Sequence, residues 1–396
     1  MFIATNFFKS TLVLLAAIAL FLTSNVFCQT TEIYVSDAGN FSSPPWKILK
    51  FDENGENPEV FINDQLAWPQ DIVFLEDQQV VLISNLNTGK ITKYNSSTGE
   101  YIEDFATGIG GPTRMKIGAD SLLYVLQWSG NGRVRRYQLD GTYVGEFTSV
   151  GVAQSIGIDW DNDWNLYVSS YGVDNVRKFD TTGNDLGVFV NSNLAGPTNI
   201  WFDDNGDLLV IDYDGTAVKR FNSTGTYVSN FITGLSQAEG VDFFPNGNIL
   251  IGNGATHSVK MFDSSGIYLE DFIPNGSGGL ITPNAVVIRV TNISSVPDDD
   301  NFLNEKSFKL EQNYPNPFNP TTNIRFRIAD PGFVTLKVYN VIGKEIAILV
   351  NDELPAGEHD VTFDASFVSG GFPSGVYFYQ LKTNSLTETK KLVILK

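Results

Sequence analysis

The segment VRKFDTTGNDLGVF (Val176–Phe189) contains the pattern that decides the fold. Apolar and polar residues alternate on both sides of a turn that contains Gly183, and glycine adopts the positive φ of such a turn at little cost. Period-two alternation around a short glycine turn predicts a β-hairpin. We expect the aromatic rings of Phe179 and Phe189 on one face of this hairpin and Lys178 on the other, facing water.

The same pattern occurs six times along the chain. The turn glycines are Gly55, Gly99, Gly141, Gly183, Gly225 and Gly266, at spacings of 44, 42, 42, 42 and 41 residues. A Phe lies six residues after each glycine, and another aromatic residue lies four or five residues before it. Two further short strand-like segments precede the second to sixth hairpins, and one precedes the first. Four short strands at a period of about 42 residues are typical of β-propeller blades.

The two ends of the repeat region predict a closed ring. The first repeat begins at Ile33 and lacks an innermost strand, and TPNAVVIRV (Thr282–Val290) supplies such a strand after the sixth repeat. A last strand that completes the first blade leaves no open sheet edge. The sequence therefore predicts an all-β chain with a six-bladed β-propeller over residues 29–292.

The repeats resemble NHL repeats and the related gluconolactonase-like six-bladed propellers. The segments that carry the resemblance are GNGRVRRYQLDGTYVGEF (130–147) and Asp163–Val168, with their glycine turn, Leu-Tyr-Val strand and basic strand. The resemblance implies the propeller fold, and propellers of this kind host many functions.

The composition changes after the propeller. Residues 293–307 contain a proline and the acidic run Asp298–Asp300, which predicts a linker. Residues 308–396 contain five alternating runs separated by turns, and these predict a small antiparallel, immunoglobulin-like β-sandwich.

This last region closely resembles the type A C-terminal sorting domain of the type IX secretion system of Bacteroidetes and related bacteria. The matching segments are LEQNYPNPFNPTT (310–322), VYNVIGKEI (338–346), LPAGEHDVTFDAS (354–366), SGVYFYQLKT (374–383) and KKLVILK (390–396). The resemblance implies that the secretion machinery is a partner, and that the domain directs passage through the outer membrane. Such domains are commonly cleaved, which leaves the cargo released or attached to the cell surface.

Residues 1–28 are predicted to be a secretory signal peptide. Lys9 supplies the positive charge, and the apolar run from Thr11 to Leu22 is too short to span a bilayer comfortably. No later stretch is apolar enough for a transmembrane helix. The expected location is therefore outside the cell or on its outer surface.

Composition excludes several classes of function. The chain has 26 Lys and Arg against 45 Asp and Glu, a formal charge of −19, which disfavours nucleic-acid binding. One Cys and two His exclude a disulfide framework and a Cys-based zinc site. No Gly-x-Ser-x-Gly motif is present. The sequence therefore favours a protein that is not an enzyme.

The first candidate site lies in the channel. Gluconolactonase-like propellers place metal ligands at the start of the innermost strands, and the resemblance maps these positions onto Gln70, Thr113, Gln154, Thr198, Glu239 and Asn284. Of these, Glu239, Asn284, Gln70 and Thr198 are the candidate metal ligands, and Ca²⁺ is the metal that their oxygen atoms suit. Only one of the six is a carboxylate, whereas the enzymes of that family need two acidic ligands and an Asn. A solvated channel mouth is therefore the competing interpretation.

The second candidate site is a loop face. Aromatic and imidazole side chains that stack on glycans or peptides are predicted there, namely Trp46, Trp128, Tyr171, Tyr213 and His257. The same rings are equally suited to packing between blades. A second set of polar residues, at the ends of the second strands, is expected to bond neighbouring backbone amides. Its members are Asp37, Asn85, Gln127, Ser170, Asp212 and Asn253.

The sequence thus favours an exported propeller that acts as an extracellular or cell-surface binding module for a glycan, peptide or protein. The alternative is a metal-dependent enzyme, lactonase- or lyase-like, with its centre at Glu239 and Asn284. A structural surface protein without a small ligand is a third interpretation.

Overall fold

A computed structural model describes residues 28–293, 309–328, 331–340, 344–366, 374–383 and 387–394. The predicted signal peptide, apart from Cys28, and the predicted linker beyond Ile293 lie outside the described residues. Among the described residues, no helix combines the length and the hydropathy that a membrane crossing requires. Short 3-10 helices connect some of the strands, at Glu76–Gln78, Leu86–Thr88, Tyr171–Val173, Gly254–Thr256 and Ser277–Gly279.

Six four-stranded antiparallel sheets, called blades 1 to 6, form the propeller. Blade 1 contains β1 Cys28–Asp37, β2 Lys47–Phe51 and β3 Glu59–Ile62. Blade 2 contains β4 Pro69–Leu75, β5 Val80–Asn85, β6 Lys90–Asn95 and β7 Tyr101–Ala106. Blade 3 contains β8 Pro112–Ile117, β9 Leu123–Gln127, β10 Arg135–Tyr137 and β11 Tyr143–Glu146.

The remaining blades repeat this order. Blade 4 contains β12 Ser155–Trp160, β13 Leu166–Ser170, β14 Asn175–Phe179 and β15 Asp185–Val190. Blade 5 contains β16 Pro197–Phe202, β17 Leu208–Asp212, β18 Ala217–Phe221 and β19 Tyr227–Thr233. Blade 6 contains β20 Ala238–Phe243, β21 Ile249–Asn253, β22 Ser258–Phe262 and β23 Tyr268–Ile273.

The fourth strand of blade 1 comes from the other end of the repeat region. This strand, β24 Pro283–Ile293, pairs antiparallel with β1, with Ile33 opposite Ile288 and Val35 opposite Val286. The sheet order is β24-β1-β2-β3. The predicted ring closure is confirmed, and the innermost strand of every blade is now accounted for.

Contacts between neighbouring blades explain the repeated glycine and phenylalanine. Gly225 has φ +75°, and a Cβ atom there would collide with the backbone oxygen of Phe189 in the preceding blade. The other five turn glycines meet the carbonyl oxygen of the preceding repeat's phenylalanine in the same way. Only glycine fits a position that needs both a positive φ and such a close backbone approach.

The prediction that Phe179 and Phe189 lie on the same face of the hairpin is wrong. Phe179 is fully buried in the cluster between blades 3 and 4, but Phe189 packs between blades 4 and 5. The cause is a register shift between Val176 and Arg177 in the pairing of β14 with β15. A bulge turns the following side chains to the other face of the sheet. Each blade therefore sends one aromatic ring to each of its neighbours.

The C-terminal region forms two further sheets, as predicted. The first contains β25 Lys309–Leu310, β26 Thr321–Ile328 and β29 Gly357–Asp364. The second contains β27 Gly332–Asn340, β28 Glu345–Leu354, β30 Gly375–Lys382 and β31 Thr387–Ile394. Apolar side chains of both sheets, such as Phe326 and Leu336, share one core. The predicted boundaries between the regions stay predictions.

Candidate functional site

The two candidate sites lie at the same end of the channel. In each blade the innermost strand is antiparallel to the next strand, so one begins where the other ends. Pro69 at the start of β4 lies opposite Asn85 at the end of β5, and Pro197 lies opposite Asp212 in blade 5. Residues that begin the innermost strands and residues that follow the second strands therefore surround one opening.

A cavity of about 230 Å³, called the mouth cavity, occupies this opening. It is lined by Phe41, Trp68, Gln70, Leu86, Trp128, Ile156, Tyr171, Thr198, Tyr213 and Glu239. Five of these ten residues are aromatic, and three of the others carry polar side chains. A concave site with apolar walls and few polar groups is the usual form of a small-molecule site.

The aromatic rings of the mouth cavity form two groups. Phe41 and Trp68 contact each other with ring centroids 5.0 Å apart. Tyr171 contacts both Trp128, at 5.5 Å, and Tyr213, at 5.9 Å. Burial raises the pKa of Tyr171 to about 12 and raises the pKa of Tyr213 as well. Both rings are therefore neutral at physiological pH.

Two buried polar atoms of the cavity wall have no partner. Within the described ranges, neither Oε1 of Gln70 nor Nε1 of Trp68 makes a hydrogen bond, although Gln70 is only 1% exposed. The hydroxyl of Thr198, in contrast, donates to the carbonyl oxygen of Ala238. A buried polar atom without a partner is costly unless water or a ligand satisfies it. The wall of the cavity thus contains one unsatisfied acceptor and one unsatisfied donor.

Arg114 closes the channel below the mouth cavity. Its side chain extends from blade 3 and donates from Nη2 to Oε1 of Glu239 at 2.9 Å and to the carbonyl oxygen of Asn284 at 2.6 Å. Its Nε donates to Oδ1 of Asn199 at 3.0 Å, and its Nη1 lies 3.9 Å from Oδ1 of Asp71. We call these five residues the Arg114 cluster, and they come from every blade except blade 4.

The Arg114 cluster contains two carboxylates and one guanidinium. Burial raises the pKa of Glu239 to about 7, against the opposing effect of Arg114 and with help from the charge of Asp71. Burial also raises the pKa of Asp71, which Arg114 and backbone amides oppose. If all three groups are ionised, their charges sum to −1, so the cluster lacks one positive charge.

A second cavity, of about 400 Å³, enters the channel from the opposite end. Arg114, Asp71 and Lys116 contribute to its lining, together with Asp242. Burial raises the pKa of Asp242 to about 6. Glu239 lines the mouth cavity and Arg114 lines the opposite one, so their ion pair stands between the two.

Six predicted site residues line the mouth cavity: Gln70, Trp128, Tyr171, Thr198, Tyr213 and Glu239. The other predicted residues lie elsewhere. Trp46 packs against the apolar cluster around Ile48, and the Nδ1 atom of His257 lies 2.5 Å from the carbonyl oxygen of Ile281. Asn284 is buried, and its amide atoms have no hydrogen-bond partner among the described residues.

The sequence patterns missed Phe41, Trp68, Leu86, Ile156 and Arg114. Leu86 follows β5 as Trp128 follows β9, so a strict alignment of the repeats would have found it. Ile156 is the residue of blade 4 that corresponds to Thr198. Gln154, which was mapped to this channel position, lies two residues earlier and corresponds to Gly196 of blade 5. Both residues have a positive φ, +48° and +62°, and both lie before the first residue of the innermost strand.

The second polar set has the predicted role except at Ser170, whose hydroxyl donates to the carbonyl oxygen of Ala153. The side-chain oxygens of Asn85 and Asn253 accept hydrogen bonds from the backbone amides of Ala67 and Ser236. Asp37 accepts from the backbone amides of Gly39 and Thr282. These side chains hold the loops around the opening in place.

The predicted metal site has few ligands. No group of three or more His, Cys, Asp and Glu side chains suitable for a metal occurs in the part of the chain that the structure describes. The guanidinium of Arg114 already contacts the one carboxylate among the candidates. Calcium binding stays a prediction, and an ion would have to compete with this guanidinium for Glu239.

Solved structures show similarity to the propeller. The nidogen/laminin complex aligns with a TM-score of 0.53 and 17% identity, over 65% of this chain and 98% of that chain. A Bacteroides caccae protein of unknown function aligns with a TM-score of 0.52 and 16% identity, over 65% and 98% of the two chains. A putative gluconolactonase aligns with a TM-score of 0.43 and 14% identity, over 57% and 83%, which is too distant to support an argument. The first two similarities show the propeller fold.

None of the curated proteins matches the chain by sequence. A family model described as a secretion system C-terminal sorting domain matches residues 312–395. These residues cover four strands of one sheet and most of the other. The chain therefore carries a C-terminal sorting domain of type IX secretion behind an all-β propeller, and this domain indicates export to the cell surface or beyond.

Proposed function

We propose that the protein is an exported binding module and that the mouth cavity is its ligand site. The observation that carries this proposal is the convergence of five aromatic rings on a cavity whose wall also contains the unpartnered Oε1 of Gln70. Rigid aromatic rings supply contact area at a low cost in conformational entropy, and a few polar atoms orient the ligand.

The rigid ring supports this function. Each rim side chain is attached to a strand end or to a loop that a buried polar residue holds, so the rings are arranged before the ligand arrives. Preorganisation reduces the entropy lost on binding. A small ligand, or a single group of a glycan or peptide, fits a cavity of about 230 Å³.

The metal-dependent lactonase or lyase has less support. Glu239 is the one candidate ligand with a carboxylate, and it is engaged by Arg114 at 2.9 Å. With the second acid missing from the candidate set, the residues that converge here supply apolar walls rather than a ligand sphere.

Saturation-transfer NMR with a panel of neutral, anionic and cationic small molecules tests the proposal. The panel includes methyl glucoside, acetate, tryptophan amide and choline. We expect at least one compound to give a signal with the wild-type protein that is lost in Trp128→Ala. The matched control is Tyr268→Ala, because Tyr268 is an exposed ring of blade 6 outside the cavity. A panel without any Trp128-dependent signal would overturn the proposed function.

A further inference from the structure

The two carboxylates that share one guanidinium beneath the mouth cavity, together with its aromatic walls, indicate the class of ligand. This inference rests on the proposed function of the cavity and names the chemistry of its ligand. We propose that the mouth cavity binds a small organic cation, an alkylated ammonium group enclosed by the aromatic rings above Glu239.

The aromatic faces are available for a cation. Elsewhere in the propeller, Arg and Lys side chains lie over rings, as Arg220 does over Phe231 at 5.0 Å. Over the described parts of the chain, no Lys or Arg lies over any of the five rings of the mouth cavity. Faces of Trp and Tyr rings attract cations, most strongly when water is excluded.

The floor of the cavity favours positive charge. Glu239 lines the cavity and is 5% exposed, and it shares the single guanidinium of Arg114 with Asp71. Two buried carboxylates share one cationic partner, and burial raises the pKa of both, so ionising the second of them calls for a further counter-charge. A cation in the cavity would supply it, whereas an anion would add to the repulsion.

The polar inventory of the cavity fits an ammonium compound better than a sugar. A pyranose presents several hydroxyl groups, and each needs a partner once it is buried. The hydroxyl of Thr198 is already bonded to Ala238 and that of Tyr171 to Asp214, so few side chains of the lining remain to pair with the hydroxyl groups of a sugar. An alkylated ammonium group needs no hydrogen bond.

Isothermal titration calorimetry with choline tests this inference on the exported protein. The matched ligand is the neutral isostere of choline, in which carbon replaces the quaternary nitrogen. We expect choline to bind about tenfold more tightly than the isostere, or better, because only choline gains from the ring faces and from Glu239. We expect Glu239→Gln to remove most of this preference, since it removes the charge and keeps the shape.

Trp128→Leu and Tyr213→Leu provide a second readout should Glu239→Gln fail to fold. Each should lower the ratio of choline to isostere affinity, whereas Tyr268→Ala should leave the ratio unchanged. Equal binding of choline and isostere would overturn the inference and leave the proposed function standing. Choline binding that none of the cavity variants affects would place the cation elsewhere and overturn the inference. Absence of choline binding, with a Trp128-dependent neutral compound in the NMR panel, would do the same.

Discussion

Arg114 and Glu239 join opposite sides of the ring. Nη2 of Arg114 in blade 3 lies 2.9 Å from Oε1 of Glu239 in blade 6, and two blades lie between these blades on each side of the ring. The ion pair therefore crosses the channel axis. Both residues are nearly excluded from solvent, with exposed fractions of 4% and 5%.

Replacing Arg114 should destabilise the propeller. In Arg114→Met, Glu239 and Asp71 lose their common cation while they stay buried, and removal of one partner of a buried pair costs about 3–5 kcal/mol. Urea denaturation measures this change in the free energy of unfolding. The control is Arg133→Met, which removes the half-exposed pair with Glu146 and should cost less than about 1 kcal/mol. Equal effects of the two variants would contradict the prediction.

Stability should depend on the protonation of Glu239. Its pKa rises from 4.5 in the unfolded chain to about 7 in the folded protein, so the folded state binds more protons between these values. The stabilising contribution of this group is complete below about pH 4.5 and is lost as the pH rises through about 7. The groups that face Glu239 are Arg114, Asp71, Tyr171 and Tyr213.

Thermal melting between pH 5 and pH 8 tests this dependence. We expect the melting temperature of the wild-type protein to fall with pH more steeply than that of Glu239→Gln. Asp71 and Asp242, whose pKa values burial also raises, are present in both proteins, so the difference between the two slopes reports on Glu239. Parallel curves would show that Glu239 does not titrate in this range.

The turn glycines should differ from other glycines with positive φ. Gly225→Ala forces a methyl group against the carbonyl oxygen of Phe189, whereas Gly206, with φ +80°, has no atom within 4 Å of the same position. Both changes carry the positive-φ cost of about 1–2 kcal/mol, and overpacking adds about 1–3 kcal/mol for Gly225→Ala alone. Chemical denaturation of the two variants measures the difference. Variants of equal stability would show that the blades separate to admit the methyl group.

Removal of residues 309–396 should block export and leave the propeller folded. The sorting domain at 312–395 is absent from such a protein, whereas all six blade sheets are retained. Cell fractionation in a bacterium with a type IX system measures the distribution. We expect the truncated protein in the periplasm and the full chain at the surface or in the medium. Surface delivery of the truncated protein would contradict this expectation, and circular dichroism provides the folding control.

The repeat could be predicted from the sequence because every blade makes the same contact with the blade before it. Gly225 and Phe189 show this. The same contact between a turn glycine and a phenylalanine carbonyl occurs between every pair of neighbouring blades, so a glycine and a phenylalanine recur at fixed positions in all six repeats. Ring closure followed from the missing first strand, and β24 fills that place. The sorting domain was recognised from long ordered motifs such as LEQNYPNPFNPTT (310–322).

The candidate site was only partly predictable because its key residue departs from the repeat. Arg114 is the one arginine at its position in the six innermost strands, and its partners come from four other blades. Trp46 and His257 are aromatic or imidazole side chains in loops, but neither lines the mouth cavity, whereas the residues directly after the second strands of blades 2 to 5 do. Leu86 has that position and was missed because it is not aromatic.

The pairing of Ile33 with Ile288 means that the propeller ring cannot close until the end of the repeat region has been synthesised. In a chain delivered from its N-terminus, the edge of β1 opposite β2 is unpaired until β24 arrives, and contacts so distant in sequence form late. The sorting domain follows β24, so a chain interrupted before β24 lacks both the strand that closes the ring and the domain that directs export. Closure of the ring and recognition by the secretion machinery therefore both depend on chain that is made after the sixth blade.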